Sequence, residues 1–190
     1  RTLFSLTSVD YIDNDLGDYD EVSLAFFVRE RGTPAGFPYT GAAYDFVRNR
    51  LATYIHRLPV TQSFTREAGE GIWGFPKTVE EIQIDHVEGQ CRTRLSCDGH
   101  HVLTLSVPDG GTRKIPDSEM TTYSFINGLL HRTRFLSGAE DCGFHLGGSN
   151  LELGDHPISA ELRSMGLPRR ALLSVWMGAM YGRFDAPEPV

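Results

Sequence analysis

The chain has 190 residues, a formal net charge of -7, 40% apolar residues, 20 Gly and 10 Pro, which fits one globular domain with a sizeable core and excludes two full domains or a disordered chain. An acidic chain without a basic stripe repels phosphate backbones and anionic headgroups, so neither nucleic acid nor a membrane is an expected partner. No apolar run reaches bilayer length and the first residues lack the pattern of a signal sequence, so the expected location is cytoplasmic.

Leu3 to Val9 reads as a strand, Asp13 to Asp18 as turn chemistry, and Tyr19 to Arg29 as a strand with a buried centre. Thr33 to Gly41 is loop by its Gly and Pro content, and Leu51 to Val60 is the next strand. Ser63 or Thr65 caps a short helix within Thr61 to Gly69, ending by Gly74. Val79 to His86, Gln90 to Cys97 and His101 to Val107 alternate as successive strands, with Asp98-Gly99 a hairpin turn between the last two. Tyr123 to Phe135 reads as one strand. Pro157 to Met165 starts like a helix and stops at Gly166, and the apolar residues of Leu172 to Phe184 fit either period. The sum is an α+β domain over 1–190, mainly antiparallel β, with barrel closure as the natural way to remove sheet edges. Because the chain opens on Arg1 rather than Met, an N-terminal segment is expected to be missing.

Thr65 to Lys77 concentrates the chemistry. Glu67 and Glu70, three apart, share one side of a helix, where two carboxylates in a dry pocket push one pKa upward; two solvated glutamates satisfy the same spacing. Arg66 is placed to pair with either. Trp73 and Phe75 offer apolar walls for a small ligand, or fill the core, and Gly71 and Gly74 leave little bulk beside Trp73. Only two lysines are present, Lys77 and Lys114, so an imine with a keto compound has few amines to draw on. Arg113 precedes Lys114, and a neighbouring cation favours the neutral amine.

Other chemistries find less. The seven histidines form neither an H-x-x-x-H nor an H-E-x-x-H array, so no metal site is expected. Serine-elbow, G-x-G-x-x-G and P-loop patterns are missing, and no cofactor is expected. Cys91, Cys97 and Cys142 make an odd set without C-x-x-C spacing and read as reduced, structural residues.

The run from Arg66-Glu67 to Gly74-Phe75-Pro76-Lys77 resembles the Arg-Glu-x-x-Gly-(Phe/Tyr)-Pro-Lys signature of the acetoacetate decarboxylase family. Gly17-Asp18-Tyr19-Asp20-Glu21-Val22 resembles that family's Tyr-x-Glu strand, and the likeness runs from Tyr11 to Val107. The resemblance implies a closed, cone-like β-barrel with a few short helices, a small carbonyl or carboxylate ligand such as a β-keto acid, and a homo-oligomer. It implies a carbon–carbon lyase acting through a lysine imine, with Tyr19 and Glu21 at the substrate. In the register that the resemblance implies, the imine lysine falls just past His101 to Val107, where this chain has Pro108, Asp109 and Gly110. Lys114 is then the candidate nucleophile, Lys77 belongs to the signature turn and is not the amine nucleophile, Glu67 or Glu70 positions the substrate or moves a proton, and Arg66, Trp73 and Phe75 contact substrate. Two other readings stay open: a lysine-independent dehydratase or isomerase, and a barrel that binds a small acid through Arg66 without chemistry.

Overall fold

Alternating apolar residues make Phe4–Tyr11 (β1) and Tyr19–Val28 (β2) an antiparallel pair in which Val22 and Leu24 turn to one side and Tyr19 and Glu21 to the other. The computed structural model describes residues 2–29 and 51–190; the loop expected at Thr33 to Gly41 lies outside them. Ala52–Val60 (β3) continues the sheet beside β2, followed by helix α1 (Ser63–Trp73) and the short strand β4 (Lys77–Val79), parallel to β3. Glu81–Val87 (β5), Gln90–Cys97 (β6) and His100–Pro108 (β7) form an antiparallel meander. Long strands Arg113–Ile126 (β8) and Leu129–Leu146 (β9) then return to the first sheet. Asn150–Leu153 (β10), helix α2 (Pro157–Ser164), Leu173–Phe184 (β11) and Glu188–Pro189 (β12) complete the chain.

Two sheets result, one ordered β1-β2-β3-β8-β9-β11 with β4 and β12 attached, the other β10-β7-β6-β5. Mixed sheets with two short helices match the expected mainly antiparallel α+β class, but the strand pairing does not close into a barrel among the described residues. The larger sheet ends at β1 and β11. The core lies between the sheets: Val22 and Leu24 meet Ile82, Leu95, Val102, Leu103 and Leu105, with Leu162 of α2 sealing one end.

Tyr123 to Phe135 is not one strand but a hairpin. Asn127 and Gly128 both take positive φ, 53° and 79°, the geometry of a two-residue turn that suits the strand twist. Glu88-Gly89 and Asp98-Gly99 turn the meander in the same way. The chain's three cysteines are buried and free, and burial, with Glu80 beside it, pushes the Cys97 thiol up to about 12. No helix is long and apolar enough to cross a membrane among the described residues.

A β-bulge ties α2 to the first sheet. Leu24 pairs with Arg57 and Ala25 with Ile55, so His56 is the extra residue, and both it and Arg57 reach Glu161. His56 Nε2 lies 2.7 Å from Glu161 Oε1, while Arg57 Nε and Nη2 donate to Oε2 at 3.0 and 2.8 Å. Those hydrogen bonds, His56 first, hold the Glu161 carboxyl below its ordinary range. A depressed folded-state pKa contributes stability above the unfolded value and loses it as pH falls through the folded value. Glu161→Gln is therefore expected to cost about 0.5–1 kcal/mol near neutrality and progressively less below the ordinary carboxylate range, as read by urea unfolding across pH.

Candidate functional site

The path from α1 into β4 places a lysine where lysines rarely sit. Helix α1 ends because Gly74 takes the left-handed conformation (φ 66°, ψ 27°), its N–H donating to the Glu70 carbonyl and the Phe75 N–H to that of Gly69. A Cβ at Gly74 would lie 2.5 Å from the Phe125 carbonyl oxygen, so space as well as φ demands glycine. The Trp73 carbonyl accepts from Ser124 Oγ at 2.6 Å, which fixes the helix end on β8. Phe75 goes under, Pro76 presents its carbonyl to the Leu58 N–H at 3.3 Å, and Lys77 enters the sheet beside Leu58 with its side chain turned inward.

Lys77 is 6% exposed, and its Nζ lies 2.9 Å from Glu21 Oε2; Glu21 is 8% exposed. The Tyr19 hydroxyl accepts from Nζ at 3.5 Å, and the same ring lies 5.0 Å below the ammonium. Tyr11 OH donates to Glu21 Oε1 at 3.4 Å, and its ring stacks on Tyr19 at 4.5 Å. Burial first, then the Glu21 charge, pushes both phenols well above their ordinary range, so both remain neutral donors near pH 7. The pair is thus held by two tyrosines on the face of β1–β2 opposite the core.

Helix α1 lies on the stem of Lys77. A Cβ on Gly69 would come within 2.6 Å of Lys77 Cδ and 2.8 Å of Cε, so only glycine lets the helix lie this close while Nζ stays on Glu21. Beside the lysine an open depression of 460 Å³ is lined by Ser63, Arg66, Glu70, Lys77, Thr78 and Val79. Among the described residues Arg66 Nε is buried there without a hydrogen-bond partner, and Arg66 Nη2 reaches Glu67 at 3.4 Å.

Of the residues singled out from sequence, Tyr19 and Glu21 meet at Lys77, and Arg66 and Glu70 line the adjoining depression. Glu67 faces solvent at the side of Arg66. Trp73 and Phe75 join Phe184 and Phe135 in an aromatic cluster, with the Trp73 indole N–H donating to the Asp185 carbonyl at 3.0 Å. Lys114 does not join them. It lies on β8 with its side chain 72% exposed and paired with Glu140, whose hydrogen bond raises its pKa. The cation expected to activate it, Arg113, instead lies over the Phe144 ring at 5.8 Å. Lys114 is thereby favoured in its charged form, the opposite of what a nucleophilic amine requires.

Sequence reasoning missed Lys77 as the buried amine, Tyr11 as a neighbour of Glu21, and Gly69 as its cover. The usable signal was an isolated lysine after Gly-Phe-Pro, entering a strand beside the apolar Leu58-Pro59-Val60.

Removing one member of a buried pair strands the other, so Glu21→Ala is expected to cost about 3–5 kcal/mol, whereas Glu21→Leu with Lys77→Met costs far less. Urea unfolding of the three proteins checks this. Gly69→Ala, read the same way, should cost about 1–3 kcal/mol by forcing the lysine stem aside.

The sequence profile of the family described as acetoacetate decarboxylase (ADC) matches residues 1–181. No protein of curated function matches the sequence. Among solved structures, the fold is similar to acetoacetate decarboxylase from Legionella pneumophila subsp. pneumophila str. Philadelphia 1. There the TM-score is 0.67 at 14% identity, over 97% of this chain and 72% of that one. It is also similar to an acetoacetate decarboxylase-like enzyme from Sphingomonas wittichii RW1, with TM-score 0.54 and 14% identity over 92% of this chain and 69% of that one. The enduracididine biosynthesis enzyme MppR, complexed with pyruvate, matches with TM-score 0.56 and 15% identity over 91% of this chain and 66% of that one.

Proposed function

The chain belongs to the acetoacetate decarboxylase family, and from that premise we propose that it acts on a small β-keto acid or related carbonyl compound through an imine on Lys77. The observation that carries this reading is the pairing of the buried Lys77 with Glu21 at 2.9 Å, beside a depression holding Arg66 and Glu70.

The chemistry follows from what an amine and a carboxylate can do together. Glu21 accepts a proton from the ammonium, and the freed nitrogen lone pair attacks the substrate carbonyl carbon. Loss of the carbonyl oxygen as water leaves a protonated imine. With a β-keto acid, the bond to the carboxylate carbon breaks, carbon dioxide departs, and the electron pair moves toward the cationic nitrogen to give an enamine. Protonation at carbon and hydrolysis release the ketone and restore the amine. Arg66, with its unpartnered Nε, binds the substrate carboxylate, and Glu70 is the carboxyl positioned for proton movement on the depression side. Pyruvate bound to MppR makes a 2-oxo acid a second reasonable probe.

Intact-protein mass spectrometry after incubation with acetoacetate, and separately with pyruvate, plus borohydride tests the assignment when followed by peptide mapping. The expected adduct is on Lys77, is lost in Lys77→Met and persists in Lys114→Ala. An adduct on Lys114 would overturn the assignment. Turnover with no adduct would favour a lysine-independent enzyme, and saturable binding without turnover a ligand-binding fold.

A further inference from the structure

Glu21 does not hold its position unaided. It lies on β2 opposite Val9, and Tyr11, two residues along β1, pairs directly with Tyr19 across the strands. The carboxylate is therefore divided: Oε2 faces the ammonium at 2.9 Å and Oε1 faces the Tyr11 hydroxyl at 3.4 Å. The stack of Tyr11 on Tyr19 fixes the first hydroxyl against the carboxylate, and the second ring lies under the ammonium. Among the described residues, α1 brings two further charged groups near the pair, Arg66 and Glu70, which line the depression beside Lys77. At this level β3 presents Leu58, Pro59 and Val60, and Glu80, after β4, interacts with Cys97.

We propose that Tyr11 is a positioning residue that sets the pH at which Lys77 becomes a nucleophile, by sharing the negative charge of Glu21. The proposal rests on the imine reading above. A hydrogen bond to the carboxylate stabilises its charge and weakens its hold on the lysine proton; without that bond, Glu21 concentrates its charge on the ammonium and the pair releases its proton at higher pH. The phenol can play this part because it stays neutral, its burial opposing ionisation.

The test is the initial rate of adduct formation with pyruvate and cyanoborohydride, followed by mass spectrometry across pH, for the wild type and Tyr11→Phe. Phenylalanine keeps the ring stacked on Tyr19 and removes only the hydroxyl; a thermal melt of each protein confirms the fold. The wild type should be modified on Lys77, and the variant should need a pH higher by roughly half a unit or more for half-maximal rate, the order expected for one hydrogen bond to a charged group. In the Glu21→Gln background the same substitution should leave the profile unmoved.

A uniform loss of rate at every pH, or an unchanged profile, overturns the role of Tyr11 while leaving the imine reading standing. No adduct on Lys77 in the wild type overturns both. Should Tyr11→Phe not fold, the wild type and Glu21→Gln profiles decide: coincident profiles would remove Glu21, and with it Tyr11, from control of the amine, and divergent ones support it.

Discussion

The buried ion pair between Lys77 and Glu21 is the constraint around which this part of the chain is arranged. Two charges removed from water cost several kcal/mol each in order of magnitude, and proximity repays that only if geometry and further hydrogen bonds are favourable. The structure meets the condition with contacts from four elements: the carboxylate from β2, the ammonium from β4, a donor from β1, and a glycine on α1 that lets the helix cover the stem. Replacing the pair by apolar side chains would cost the fold far less than stranding either charge. Within a chain of the acetoacetate decarboxylase family, this pair is the feature on which the proposed chemistry rests.

Strand β2 does two jobs because its side chains alternate. Val22 and Leu24 anchor the core against the second sheet, while Tyr19 and Glu21, on the intervening positions, hold the buried lysine. The register that packs the core thus also sets the carboxylate, and a slip of one residue would lose both together. The bulge at His56 and the ion cluster on Glu161 pin α2 to the same part of β3. Rigidity of this kind suits the proposed reaction, which needs an amine held within hydrogen-bond reach of its proton acceptor.

Much of this was legible in the sequence, and the exceptions have physical reasons. The alternation of the meander and the Asp98-Gly99 turn were plain because one face is buried and the other wet. The Asn127-Gly128 turn was hidden by apolar residues on both sides: Phe125, Leu129 and Leu130 are exposed, so hydrophobicity ran straight through a hairpin tip. Tyr19 and Glu21 stood out by their short motif, and the fold brings both to Lys77. Lys77 was not readable as a buried amine, because sequence adjacency shows only the cation next to Lys114, whereas the burial of Lys77 comes from strands and a helix far apart along the chain. Tyr11 was invisible for the same reason, since only the β1–β2 register brings it to Glu21.

With only two lysines in the chain, the central claim is open to a direct spectroscopic measurement. Selective labelling of lysine at Cε and Nζ gives an NMR spectrum with two side-chain signals, one from the solvent-facing Lys114 and one from Lys77. The account predicts that the Lys77 signal is set apart, slow to exchange its ammonium protons, displaced by Glu21→Gln, and the one that moves when a small keto acid is added. Two signals alike in solvent exchange, with Glu21→Gln moving neither or the keto acid moving only that of Lys114, would contradict it.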